Sequence, residues 1–112
     1  MTAAESLPAR TRIVQEHLLA AGVDTAVVVL PDSARTAVAA AAAVGCDVGA
    51  IANSLVLVAD DTPILVMTSG AHRVDFAVLA DAIGAGSAAM APAALVREVT
   101  GQAIGGVAPV GH

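Results

Sequence analysis

Short apolar runs, each closed by glycine, proline or acidic residues, divide this chain into candidate helices and strands. Near the start, apolar residues recur at helical spacing at Leu7, Val14, Leu18 and Ala21. Ser6 has the side chain of an N-cap, Pro8 falls in the first turn and Gly22 is a stop signal. The pattern predicts a helix over residues 7–21.

The next run, residues 26–30, is apolar and rich in β-branched side chains, and a proline follows it. Such a run is typical of a strand that is buried on both faces. Asp32 or Ser33 then caps an alanine-rich helix that reaches Val44, because alanine has the highest helix propensity and Gly45 supplies a C-terminal stop.

Two further apolar runs, residues 54–59 and 64–68, flank the sequence Asp-Asp-Thr-Pro, which has the composition of a turn. They predict an antiparallel hairpin. Three more elements follow: a helix over 74–83, a brief strand at 87–90 and a helix over 91–99. Because this order mixes a βα unit with a hairpin, it predicts an α+β fold in which helices pack on a mixed, mostly antiparallel sheet.

Composition and length bound the class of protein. At 112 residues the chain is long enough for one core, so we predict a single domain over residues 1–112. It is 57% hydrophobic but 1% aromatic, which predicts a core of small side chains. The longest uncharged stretch, residues 82–96, is shorter than the roughly 20 apolar residues of a membrane span.

Location follows from the same features. The N-terminus lacks the basic and apolar regions of a secretory signal, and the single cysteine, Cys46, fits a reducing compartment. We expect Cys46 to be a small buried residue. These observations predict a soluble, cytoplasmic protein with no membrane partner.

Residues 105–112, which we call the glycine loop, read Gly-Gly-Val-Ala-Pro-Val-Gly-His. Glycine allows positive φ and removes the Cβ, while Pro109 fixes one φ and removes one amide donor. The remaining amides can then be directed together at an oxyanion, a phosphate or an ester carbonyl. A glycine- and proline-rich turn without any ligand is an equally good interpretation of this segment alone.

Two other motifs precede the glycine loop: residues 45–58 read GCDVGAIANSLVLV and residues 65–75 read LVMTSGAHRVD. In order and spacing, the three motifs resemble the YbaK/prolyl-tRNA editing domain family, whose members hydrolyse wrongly charged aminoacyl-tRNA. The resemblance covers residues 33–112, and three motifs that agree are more specific than any one of them. It implies an editing-domain fold, a deacylase acting in trans on the acceptor end of aminoacyl-tRNA, and no cofactor.

The chain departs from this family in two respects. Asn53 stands where most members have a lysine beside the substrate, so an uncharged amide replaces an ammonium group. Members of the family also usually continue past the glycine loop, which suggests that this chain is C-terminally shortened.

The resemblance implies a site built from the backbone rather than from a protein nucleophile. We assign the catalytic role to Asn53, Gly105 and Gly106, which would contact the ester carbonyl. The other interpretation is that Asn53 is an ordinary polar residue at the start of a strand. The expected substrate-binding residues are Ser54, Ser69, Gly70, Pro109, Gly111 and His112.

Other chemistry is less well supported by the sequence. The formal net charge is −5 and all five basic residues are arginines, so an extended nucleic-acid duplex is not an expected partner. Ser69, His72 and Asp75 lie too close in sequence for the usual triad geometry. The three histidines form no i, i+4 pair, and we expect no metal site.

Two competing hypotheses remain open. A non-catalytic family member would bind an aminoacyl or nucleotide-like ligand, or a partner protein, without turnover. A structural fragment would associate through exposed apolar surface, for example as a homodimer. Release of free amino acid from a mischarged tRNA distinguishes a deacylase from both.

Overall fold

The computed structural model describes residues 7–31, 33–34 and 36–112. Its elements are α1 (Ala9–Ala20), α2 (Ala37–Val44), a 3₁₀ turn (Val48–Ala50), β1 (Ala52–Ala59), β2 (Thr62–Ser69), α3 (Phe76–Ile83), β3 (Ala88–Met90) and α4 (Ala93–Thr100). The three strands form one antiparallel sheet in the order β2-β1-β3. The predicted α+β class with mostly antiparallel pairing is therefore confirmed.

Helix α1 begins at Ala9, and Pro8 is its N-cap residue rather than part of its first turn. The predicted cap Ser6 lies outside the described residues. Gly22 follows the helix with a φ of +82°, in the left-handed region that favours glycine, so the predicted stop is confirmed.

The strand predicted at residues 26–30 is wrong, because these residues join no ladder in the described part of the chain. The buried side chain of Gln15 binds the backbone here instead. Its Nε2 donates to the carbonyl of Thr25 at 2.9 Å, and its Oε1 accepts from the amide of Val27 at 2.5 Å. Val28 and Val29 stay largely exposed. A β-branched run forms a strand only where another strand offers it free backbone groups.

Helix α2 begins later than predicted, at Ala37, because Thr36 is its N-cap and accepts a hydrogen bond from the amide of Ala39 at 3.1 Å. Of the two predicted caps, Asp32 lies outside the described residues and Ser33 lies in a turn before the helix. Gly45 ends α2 in the left-handed conformation, as predicted. Cys46, in the turn that follows, is exposed, so the prediction that it is buried is wrong.

Strands β1 and β2 pair along their full lengths in the predicted hairpin. Asp60 and Asp61 form its two-residue loop, each with a positive φ, which matches the twist of the flanking strands. The Asp60 carboxylate accepts hydrogen bonds from the amides of Gly86 at 2.8 Å and Ser87 at 3.0 Å. This contact attaches the hairpin loop to the segment that leads into β3.

One face of the sheet, which we call the α4 face, packs against α4 and the glycine loop. Val56 is buried in a cluster with Ala91 and Val96, and Val58 and Val107 pack against that cluster. Most of these side chains are alanine and valine, as the composition predicted. The glycine loop is thus attached to the sheet through Val107.

The opposite face, which we call the α3 face, carries Leu57, because successive side chains of a strand alternate. Leu57 has no exposed surface. Its cross-strand partner Ile64 borders one cavity together with Leu79 and Ile83 of α3, so α3 lies over this face. A different helix therefore lies on each side of the sheet, while Leu65 and Met67 of β2 stay exposed on the α4 face.

The ends of α3 and α4 follow the sequence closely. Asp75 caps α3 and accepts from the amide of Val78 at 3.1 Å. Pro92 is the N-cap residue of α4. Gly84 and Gly101 end the two helices in the left-handed conformation. None of the helices in the described residues is long and apolar enough to cross a membrane.

Candidate functional site

The glycine loop is held in place by a buried glutamine that immediately follows α4. Gln102 is 6% exposed, and its Oε1 accepts from the amide of Ala108 at 2.7 Å while its Nε2 lies 3.5 Å from the carbonyl of Val110. Its own amide donates to the hydroxyl of Thr100 at 2.9 Å, and that hydroxyl donates to the carbonyl of Val96 at 2.6 Å. Buried polar groups that are fully paired specify one conformation.

The amides of the glycine loop divide into bonded and unbonded groups. Gly106 donates to the carbonyl of Ala103 at 2.9 Å, which closes a turn, and Ala108 donates to Gln102. The unbonded group consists of Gly105, Val107 and residues 110–112, none of which uses its amide in a hydrogen bond with a described residue. Gly105 has a φ of +81°, and a Cβ there would meet no atom within 4 Å, so this part of the loop is open.

The end of the glycine loop packs back on α1 and on itself. Gly111 has a φ of +90°, and a Cβ at this position would lie 3.2 Å from the Cγ2 of Val14. The ring Nε2 of His112 lies 3.0 Å from the carbonyl oxygen of Ala108. Pro109, between these contacts, is exposed and supplies no amide. These residues shape the loop.

Asn53 and Ser54 lie on different faces of the sheet. Asn53 is paired with Thr68 and shares the α3 face with Leu57, whereas Ser54 shares the α4 face with Val56. Because a strand rises about 3.3 Å per residue, Ser54 lies roughly 7 Å from Val56. Val56 belongs to the buried cluster against which Val107 packs. Of Asn53 and Ser54, it is thus Ser54 that lies on the same side of the sheet as the glycine loop.

Ser69 and Gly70 close the open end of the hairpin. The Ser69 hydroxyl donates to the carbonyl of Gly49 at 2.7 Å and accepts from the amide of Ala71 at 3.2 Å. The amide of Gly70 donates to the carbonyl of Ile51 at 2.6 Å. These two residues thus form the turn at the end of β2, and the Ser69 hydroxyl is not free to act as a nucleophile.

The predicted site residues fall into separate surface regions. A cavity of about 260 Å³ is lined by residues 49–52 and 67–69, beside Asn53. A second, of about 170 Å³, includes His112 together with Val56 and Leu65. Of five cavities in the described part of the chain, none is lined by both Asn53 and the glycine loop.

A third cavity, of about 390 Å³, adjoins the glycine loop on its other side. Its lining includes the guanidinium-bearing residues Arg10 of α1 and Arg97 of α4, together with Gln102, Gly106 and Ala108. The described residues contain no group of three or more histidine, cysteine or acidic side chains that could hold a metal ion.

Sequence patterns did not single out Gln102, although it fixes the loop on which the site was predicted. The available signal was its position between a helix-ending glycine and the paired glycines, where a long side chain can reach back to the loop backbone. Arg10 was also missed as a neighbour of the loop, because the two are about ninety residues apart in sequence and meet only through folding.

Residues 31–112 match the family model of the aminoacyl-tRNA editing domain. Among curated proteins, none matches this chain. The resemblance to the YbaK/prolyl-tRNA editing family that the three motifs indicated is therefore confirmed by a match that contains all three.

Solved structures agree with the family match. A candidate trans-editing enzyme for prolyl-tRNA synthetase is 44% identical, with a TM-score of 0.86 over 96% of this chain and 68% of that one. A protein used in epitope backbone grafting by computational design is 39% identical, with a TM-score of 0.87 over 95% of this chain and 68% of that one. A hypothetical protein is 27% identical, with a TM-score of 0.78 over 88% of this chain and 66% of that one. Given the family match over residues 31–112 and these similarities, this chain belongs to the aminoacyl-tRNA editing domain family.

Proposed function

We propose that this protein hydrolyses the ester bond of a mischarged aminoacyl-tRNA, acting in trans. Membership of the editing-domain family and the 44% identity to a candidate trans-editing enzyme support this activity. The substrate is the acceptor end of the tRNA with its attached amino acid. Such a reaction belongs with translation in the cytoplasm.

The observation that carries the proposal is that the amides of Gly105 and Val107, on either side of the turn amide of Gly106, form no hydrogen bond with a described residue, in a loop whose shape Gln102 holds. Ester hydrolysis places negative charge on the carbonyl oxygen when water attacks. Amides already oriented toward that oxygen stabilise the charge without reorganising at the moment of reaction. Because the Gly106 amide is used in a turn, Gly105 and Val107 are the donors that we propose, and Gly106 contributes the shape of the loop.

The chemical step needs no covalent protein intermediate. Water adds to the ester carbonyl, the resulting oxyanion is held by the loop amides, and the ribose oxygen leaves with a proton. The products are free amino acid and uncharged tRNA. A hydroxyl of the terminal ribose assists the attack. This role fits the site because the Ser69 hydroxyl, which donates to the carbonyl of Gly49, is not free to act as a nucleophile.

Asn53 and Ser54 are proposed to contact the substrate from the end of β1. They point to opposite faces, so a substrate that reaches over the strand end contacts both. Ser69 and Gly70 keep that end closed against the 3₁₀ turn. Pro109, Gly111 and His112 limit the space around the acyl group on the loop side.

The direct test is deacylation of a panel of tRNAs, each charged with a correct or an incorrect amino acid. We expect faster release of free amino acid from at least one mischarged tRNA than in the absence of protein. Correctly charged tRNA is the control for selectivity. No acceleration with any tRNA would contradict the proposal, and binding of a non-hydrolysable aminoacyl-adenosine analogue without turnover would favour a non-catalytic role.

A further inference from the structure

We infer that the cavity between α1 and α4 binds a backbone phosphate at the 3′ end of the tRNA, through Arg10 and Arg97. The inference rests on the proposed function, since it assigns the part of the substrate next to the ester. The cavity has a volume of about 390 Å³ and is partly lined by Gly106 and Ala108 of the glycine loop.

The charges around the cavity favour an anion. Two of the five arginines of the chain line it, and none of its lining residues is acidic, although the chain carries ten acidic residues. Neither guanidinium forms an ion pair or a side-chain hydrogen bond with a described residue. Arginine presents a planar set of donors that suits phosphate oxygens.

Arg10 also lies against the end of α4, next to the cavity. A Cβ on Gly101 would lie 2.6 Å from its Nη1, so the guanidinium rests directly against the end of α4. Gly101 has a φ of +72°, which favours glycine, and the absence of a Cβ there leaves room for the Arg10 guanidinium. Arg97 reaches the same cavity from the last turn of α4.

The position of the cavity matches the chemistry of the substrate. The 5′ phosphate of the terminal nucleotide is separated from the acylated hydroxyl only by the ribose. A site that holds the ester at Gly105 and Val107 therefore brings this phosphate to the surface beside the glycine loop. The arginines on that side give an acidic protein a local contact for RNA without an extended basic surface.

The same arginines could act only on the fold, because cations near the C-terminus of a helix stabilise it. Measurements of RNA affinity and of protein stability distinguish the two roles. We would measure the affinity for a fluorescent RNA hairpin that ends in single-stranded CCA, by anisotropy, as salt is varied. The variants are Arg10→Gln, Arg97→Gln and the double variant, with the exposed Arg73→Gln as a control of equal charge.

We expect each cavity variant to weaken binding at low salt about tenfold, because each removes a charge-assisted hydrogen bond to the RNA. The slope of log affinity against log salt should fall by about 0.7 for each phosphate of a single strand that the variant no longer neutralises. Arg10→Lys should keep most of the slope, since the charge remains. Arg73→Gln should change neither quantity.

An unchanged slope in the double variant, with or without a lower melting temperature, would overturn the inference and leave the arginines a structural role. Competition by inorganic phosphate that depends on Arg10, without any change in RNA affinity, would also overturn it.

Deacylation kinetics separate this inference from the proposed function. The cavity variants should raise KM and leave kcat within about twofold, because the lost contact stabilises the bound substrate and the transition state equally. If the wild type shows arginine-dependent RNA binding but no deacylation, the proposed function fails and the phosphate contact stands.

Discussion

Gln102 decides the shape of the glycine loop, because its side chain replaces the backbone partners that a strand would provide. It bonds the loop at Ala108 and Val110 and is bonded in turn by Thr100. A single buried amide thus leaves the amides of Gly105 and Val107 available for a ligand.

Gln102→Met should therefore loosen the loop while keeping the volume of the side chain. We expect a loss of about 1–3 kcal/mol in the free energy of unfolding, because the Ala108 amide is left without an acceptor. Amide hydrogen exchange should become faster at Ala108. Gln15→Met, which removes an equally buried amide from the 25–27 segment, is the matched control. Unchanged exchange at Ala108 in the first variant would contradict this role.

Substitutions of Asn53 test how much the missing ammonium group matters for the rate of deacylation. If its amide contacts the substrate, Asn53→Lys should raise the deacylation rate about fivefold, because a hydrogen bond to a charged partner is about 1 kcal/mol stronger than a neutral one. Asn53→Ala should lower the rate by a similar factor. Equal rates for both variants and the wild type, in single-turnover assays, would remove Asn53 from the mechanism.

At the scale of elements, the open end of the hairpin is a closely packed junction. A Cβ on Gly70 would lie 2.7 Å from the carbonyl oxygen of Val48 and 2.9 Å from the Cβ of Ala37. The hairpin, the 3₁₀ turn and α2 thus meet at a position where only hydrogen fits.

Gly70→Ala should destabilise the protein by about 1–3 kcal/mol, because backbone rather than a flexible side chain must move. Chemical denaturation measures the change. Gly49→Ala is the control, since the nearest atoms to its new Cβ would be 3.8 Å away, and it should stay within about 0.5 kcal/mol of the wild type. Equal stability of the two variants would show that the junction relaxes freely.

At the scale of the whole molecule, few side chains are fully buried. Leu57 and Val96 are the largest among the described residues, one on each face of the sheet. A core built mainly from alanine and valine buries less apolar area per residue than one with aromatic side chains, so each large residue in it matters more.

Leu57→Ala should cost about 2–5 kcal/mol of stability, a large share of the total for a domain of this size. Leu65→Ala, at a position that is 37% exposed on β2, should cost clearly less. Urea denaturation measures both losses, provided that the m-value is the same for the two variants and the wild type. If the two losses are equal, Leu57 is not the centre of the core.

Local sequence was enough for most elements and for the family. A left-handed glycine follows each of the four described α-helices, Asp75 caps α3 and Asp60-Asp61 turns the hairpin, because each of these features depends on residues within a few positions. The three motifs also identified the editing-domain family, which the match over residues 31–112 confirms.

Only the tertiary structure decided features that join distant residues. The apolar run at 26–30 resembles a strand, yet a glutamine from α1 bonds the carbonyl of Thr25 just before the run and the amide of Val27 within it. Likewise, the composition of the glycine loop does not tell which amides are free or that Arg10 lies beside it. Helix ends and tight turns are settled by short-range sterics and hydrogen bonds, whereas strand pairing, loop anchoring and the shape of a cavity depend on which surfaces meet when the chain folds.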